Sequence, residues 1–113
     1  MLTIENLRAY GANVDEGMAR CMGREDFYLR MVRMILADAN IGKLRQAIDA
    51  GDLDAAFEAA HALKGVAANL SLTPIQAPVS EMTEFLRART QMDYQPLMGR
   101  AEAAWAELKA LAE

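Results

Sequence analysis

The chain has 113 residues, 53% of them hydrophobic, with a formal net charge of -4 and a pI near 5.0. That length supports one domain with a single core and no staple or metal, and an acidic balance with scattered Lys and Arg excludes the basic face that nucleic acid requires. No apolar run approaches the roughly 20 residues of a bilayer span, and the lone Cys21 has no internal disulfide partner, so no membrane contact and a reducing cytoplasm are expected.

Alanine, leucine, methionine, glutamate and arginine dominate and β-branched alternation is absent, so the long segments read at a period near 3.6 and the fold class is all-α. Thr3 can cap a short helix stopped by Gly11, and Asn13 with Glu16 resembles a capping box for a second short helix ending at Gly23. A longer helix is expected from near Glu25 to Gly51, turning Phe27, Tyr28, Met31, Ile35, Leu44 and Ile48 inward, with a kink or division at Asn40-Ile41-Gly42. Asp52 then caps a central helix, roughly Leu53 to Leu70, whose core stripe is Leu53, Ala56, Ala60, Leu63, Ala67 and Leu70. Phe57, His61, Lys64, Gly65 and Ala68 form a different stripe that points largely to solvent.

Thr73-Pro74-Ile75-Gln76 resembles a capping box with a proline in its first turn. Pro78 would then remove a hydrogen bond and clash backwards, so a short turn is expected first and a helix only from about Pro78 to Arg89, with Val79, Met82, Phe85 and Leu86 as its apolar face. Asp93 can cap the last helix, in which Pro96 needs no backbone donor and Leu97, Ala101, Ala104, Leu108 and Leu111 face inward. Short connections between four substantial helices imply an antiparallel up-down-up-down four-helix bundle behind short N-terminal helices, a single domain over residues 1–113.

His61 is the only histidine in the chain. Residues at i and i+3 share a helix face, so the imidazole and the Lys64 ammonium can both meet one incoming anion. Gly65 removes a side chain beside them at a helix cost of roughly 1 kcal/mol, which makes sense if something large approaches. Imidazole is a good nucleophile when neutral. Once phosphorylated, its new oxygens would be offset by Lys64.

The run His61-Ala62-Leu63-Lys64-Gly65 resembles the His-x-x-Lys-Gly signature of histidine-containing phosphotransfer (HPt) domains, and Ala67-Ala68-Asn69-Leu70 resembles what usually follows it. Val14 through Gly23 with Tyr28-Leu29 is similar to the family's N-terminal helices, and Gly51-Asp52-Leu53 to the turn before its histidine helix. Ser71 departs from the pattern, since many members have glycine there. The resemblance implies a four-helix bundle that takes a phosphoryl group from a receiver-domain aspartyl phosphate onto Nε2 of His61 and passes it to another receiver. It implies that Lys64 stabilises the phosphoryl group, that Gly65 clears space for docking, and that the receiver supplies Mg²⁺. No cofactor of its own is then expected. The chain agrees in having no glycine-rich phosphate loop, and a monomeric phosphocarrier without kinase activity is expected rather than an enzyme.

The resemblance also places the second short helix beside the histidine helix, so Met18 and Met22 are expected to join Phe57, Glu58, Gly65 and Ala68 in a receiver-binding patch. Tyr28 and Trp105 read as bundle anchors, and Cys21 as a small buried hydrophobe. Glu58-Ala59-Ala60-His61 has the Glu-x-x-His spacing of di-iron bundles, but such sites need two motifs and one histidine cannot supply the second. Glu58 is then an exposed helix glutamate, or a group that orients the imidazole. The alternatives to a phosphorelay carrier are the phosphoryl-accepting domain of a chemotaxis-type histidine kinase and a non-catalytic helical scaffold.

Overall fold

The computed structural model describes residues Met1–Glu113 and contains seven helices and no strand. They are α1 (Ile4–Tyr10), α2 (Val14–Arg20), α3 (Glu25–Ile35), α4 (Asn40–Ala50), α5 (Leu53–Asn69), α6 (Thr73–Arg87) and α7 (Gln95–Ala112). The first two begin where their caps dictate. The Thr3 hydroxyl accepts from the Asn6 N–H at 3.0 Å while the Asn6 side chain accepts the Thr3 N–H at 2.9 Å, a reciprocal box that satisfies two end groups at once. Asn13 accepts from the Glu16 N–H at 3.3 Å, but the return bond joins the two side chains, at 3.1 Å, so half of the expected box is present. α2 stops at Arg20, and Met22 and Gly23 both take positive φ in the turn that follows.

The expected long helix from Glu25 to Gly51 is two helices, and the division falls before Asn40-Ile41-Gly42, with Gly42 inside α4. After Ile35 the chain tightens into bonds from Leu36, Ala37 and Asp38 to the carbonyls three residues back. Asp38 then turns its carboxylate onto the Asn40 N–H at 2.8 Å, the local competition by which Asp ends one helix and starts another. Within these helices Tyr28, Ile35 and Leu44 are buried as expected, Val32 and Ala47 join them, and Phe27, Met31 and Ile48 are only partly covered.

A second correction concerns Pro78. The helix does not wait for it: α6 starts at Thr73 and carries Pro78 in its interior. Only one backbone bond is lost there, while Leu72, Ile75 and Val79 are all fully buried, so burial of the early turns outweighs the local penalty. Val79, Met82 and Leu86 of the expected apolar face are fully buried, and the departures are two. Phe85 is 38% exposed, and Thr83 takes a buried place by returning its hydroxyl to the Val79 carbonyl at 2.6 Å.

α5 lies between α4 and α6; α6 packs on α7, and α7 returns to α4 and α1. Arg45 of α4 ties that closure by bonding Glu102 and, at 2.6 Å, Gln95 of α7. Tyr10 of α1 donates its hydroxyl to the Ala104 carbonyl at 2.8 Å. Leu97, Ala101, Ala104, Trp105 and Leu108 of α7 are buried and Leu111 is partly so. No helix is long and apolar enough to cross a membrane.

Candidate functional site

The site is one face of α5. The Asp52 carboxylate accepts from the Ala55 N–H at 3.1 Å and fixes where the helix starts. Ala56, Ala60, Leu63 and Ala67 then fall inward at 0% exposure, with Ala59 and Leu70 also buried and Leu53 at the margin. That register leaves His61 and Gly65 exposed, with Phe57, Lys64 and Ala68 half-buried along the same flank. Neither the imidazole nor the Lys64 ammonium has a hydrogen-bond or salt-bridge partner within the protein, and the two stand one turn apart.

Gly65 differs from the helical glycine Gly17 in what surrounds it. A Cβ built on Gly65 meets no atom within 4 Å, whereas one on Gly17 would come within 2.6 Å of the Tyr28 ring. Gly17 is therefore required by packing within the chain; Gly65 is not.

The far end of α5 is sewn to the N-terminal helices. Ser71 takes a left-handed φ of 55° at the helix exit, a conformation that glycine adopts without steric cost. Its carbonyl accepts from the Asn13 N–H at 2.9 Å and its hydroxyl bonds Glu16 at 3.2 Å. Tyr28, wholly buried, donates to the neighbouring Leu70 carbonyl at 2.8 Å, and burial pushes its hydroxyl pKa up to about 12. Tyr28 is thus an anchor between α3 and the end of the histidine helix.

The start of α2 is tied to Ser71, just past the end of α5 and about four turns from Phe57. Met18 is partly buried against the core, and Met22, in its left-handed turn, is 88% exposed. Glu58 is exposed and borders an open groove between α4 and α5, of about 570 Å³, with Lys43, Gln46 and Asp52. It makes no hydrogen bond to His61. No cluster of three or more His, Cys, Asp or Glu side chains is gathered anywhere in the molecule in a way that could hold a metal.

Phe57 is the residue whose surroundings sequence reasoning missed. Its ring stacks on the His61 imidazole with centroids 5.5 Å apart and planes 20° from parallel. The guanidinium of Arg87 lies 5.1 Å, and that of Arg89 4.9 Å, from the Phe57 centroid. Arg89 is held in turn by Asp54 of α5 at 2.6 Å and by the Leu86 carbonyl at 2.6 Å. Only the Phe57–His61 pair, at i and i+4, was readable from spacing; the arginines arrive from the end of α6 and share no local pattern with it.

A family model described as Hpt domain matches residues 30–112. The match begins within α3 and takes in the whole of α4 to α7, including every residue of the α5 site. Searches of curated proteins and of solved structures gave no match.

Proposed function

The chain belongs to the Hpt domain family, and we propose that it is the carrier in a multistep phosphorelay, with His61 taking a phosphoryl group from the aspartyl phosphate of one receiver domain and delivering it to another. Hpt domains act in phosphorelays with receiver domains as partners and as carriers of phosphate. The observation that supports the assignment to His61 is its position: the only histidine of the chain stands exposed on the helix at the heart of the family match, beside an unpaired lysine and a glycine with open space before it.

The chemistry follows from that arrangement. Neutral imidazole attacks through the Nε2 lone pair, the new N–P bond forms as the acyl-phosphate P–O bond breaks, and the aspartate carboxylate leaves with the electron pair. Lys64 then offsets the charge of the phosphoryl oxygens through a charge-assisted bond. Gly65 lets the receiver surface come close, and the receiver brings the Mg²⁺, so this chain needs no cofactor and no nucleotide. Half-buried Ala68, on the same flank of α5, and exposed Met22, in the turn after α2, are the further residues offered for docking. The ring of contacts from α4 through α7, joined by short connections, supports an up-down-up-down antiparallel bundle as the frame. A reducing cytoplasm suits the free, buried Cys21.

The test is transfer from a radiolabelled, phosphorylated receiver of the same organism. The label is expected to be stable in alkali and lost in mild acid, as a phosphoramidate is. His61→Gln is expected to abolish it without change in helical content. Labelling that persists in the mutant, or that never occurs with any receiver, overturns the proposal.

A further inference from the structure

The strongest feature outside that scheme is the stack beside the imidazole. We infer that Phe57 is a positioning residue for His61: its ring fixes the plane of the imidazole, and Arg87 and Arg89 fix Phe57, so that the imidazole is held in one ring plane before a receiver docks. The inference rests on the phosphotransfer reading for its purpose, but on geometry alone for its existence.

The need for such a device follows from the side chain itself. The second torsion of histidine is broad and roughly two-fold, so an imidazole with no hydrogen-bond partner would sweep a wide range of ring planes. His61 has no such partner, yet its ring lies within 20° of the Phe57 plane. A stack of this kind allows the 180° flip but resists intermediate angles, and in either flip state Cε1 and Nε2 remain at the outer end of the ring.

Phe57 is itself prevented from turning away. Arg87 and Arg89 close on it at 5.1 and 4.9 Å, the distances of cation–π contact. Arg89 is clipped across to Asp54 at 2.6 Å, one turn before Phe57 on the same helix. Arg89 itself takes a left-handed φ of 54°, two residues past the end of α6. With both guanidiniums on its ring, Phe57 offers little bare apolar surface to a partner. Its role is therefore exerted through His61, by holding the ring in the attitude for in-line attack.

Because the chain has one histidine, its imidazole protons are a clean reporter. In the full-length, unphosphorylated protein the His61 Hδ2 and Hε1 signals are expected to be displaced by the Phe57 ring current, and to return to ordinary positions in Phe57→Leu. That variant keeps an apolar side chain and is expected to lose about threefold to tenfold in the transfer rate constant, the range of an aromatic pair, with the KM for the receiver unchanged. Phe57→Tyr is expected to restore both. Arg87→Gln combined with Arg89→Gln is expected to diminish the displacement with His61 and Phe57 intact. Undisplaced imidazole signals in the parent protein, an unchanged rate in Phe57→Leu, or a change in KM instead of rate would each overturn the inference, the last by making Phe57 a docking residue. Displaced signals in a protein that accepts no phosphate would leave the stack standing and remove the phosphotransfer reading, so the two failures are distinct.

Discussion

The inward and outward faces of α5 are built from the same 17 residues by opposite rules. On the inward face the side chains are small or aliphatic and fully covered: Ala56, Ala60, Leu63 and Ala67 have no exposed surface, and the alanines let α4 and α6 come close. On the outward face polar groups are left without partners in the chain, and at Gly65 there is unfilled space. Inside, every group has its complement within the protein. Outside, the His61 imidazole and the Lys64 ammonium make no polar contact within the protein and Gly65 faces open space, the three groups that the proposed function assigns to phosphate and receiver. A helix can carry both because the stripes are separated by rotation, so changes on one face are nearly invisible to the other.

The largest way to test that separation is on the inward side. Leu63 is fully buried between the two positions assigned to phosphate chemistry, and Leu63→Ala is expected to cost about 2–5 kcal/mol of stability through lost burial and a residual cavity. Urea unfolding measures it, and phosphohistidine lifetime in the folded fraction is expected to stay the same. A shortened lifetime at full folding would show the faces to be coupled.

Lys64→Ala makes the converse change. Its ammonium has no partner in the protein, so stability is expected to remain within about 0.5 kcal/mol, while loss of a charge-assisted bond removes about 1.5–3 kcal/mol from the phosphorylated state or the transition state. The decay of phosphohistidine and the transfer rate report it. Parent-like values for both would remove Lys64 from the site.

The smallest effect is at Gly65, and Gly17 supplies the contrast. Gly65→Gln adds a side chain to open space and relieves a mid-helix glycine, so a gain of about 0.5–1 kcal/mol is expected, together with weaker receiver binding by calorimetry. Gly17→Ala places a methyl group against the Tyr28 ring and is expected to lose about 1–3 kcal/mol by overpacking. If Gly65→Gln destabilises as Gly17→Ala does, its space is needed by the fold and not by a partner.

What the sequence determined by itself is local. The 3.6-residue period, the Thr3, Asn13 and Asp52 caps, the stops at Gly11 and Gly51, and the rotation that separates His61 from Leu63 depend on residues within a turn or two of one another, and all are present in the structure. The family was legible too, since its signature is contiguous around His61. Tertiary structure decided the rest. Pro78 sits inside α6 because Leu72, Ile75 and Val79 find a core to enter, an energy no local rule contains. Ser71 accepts a left-handed backbone where Asn13 and Glu16 come to bond it. Phe57, read as bare docking surface, lies beneath Arg87 and Arg89. Those contacts join segments separated by 30 or more residues, and only packing of one helix on another tells which side chains will meet.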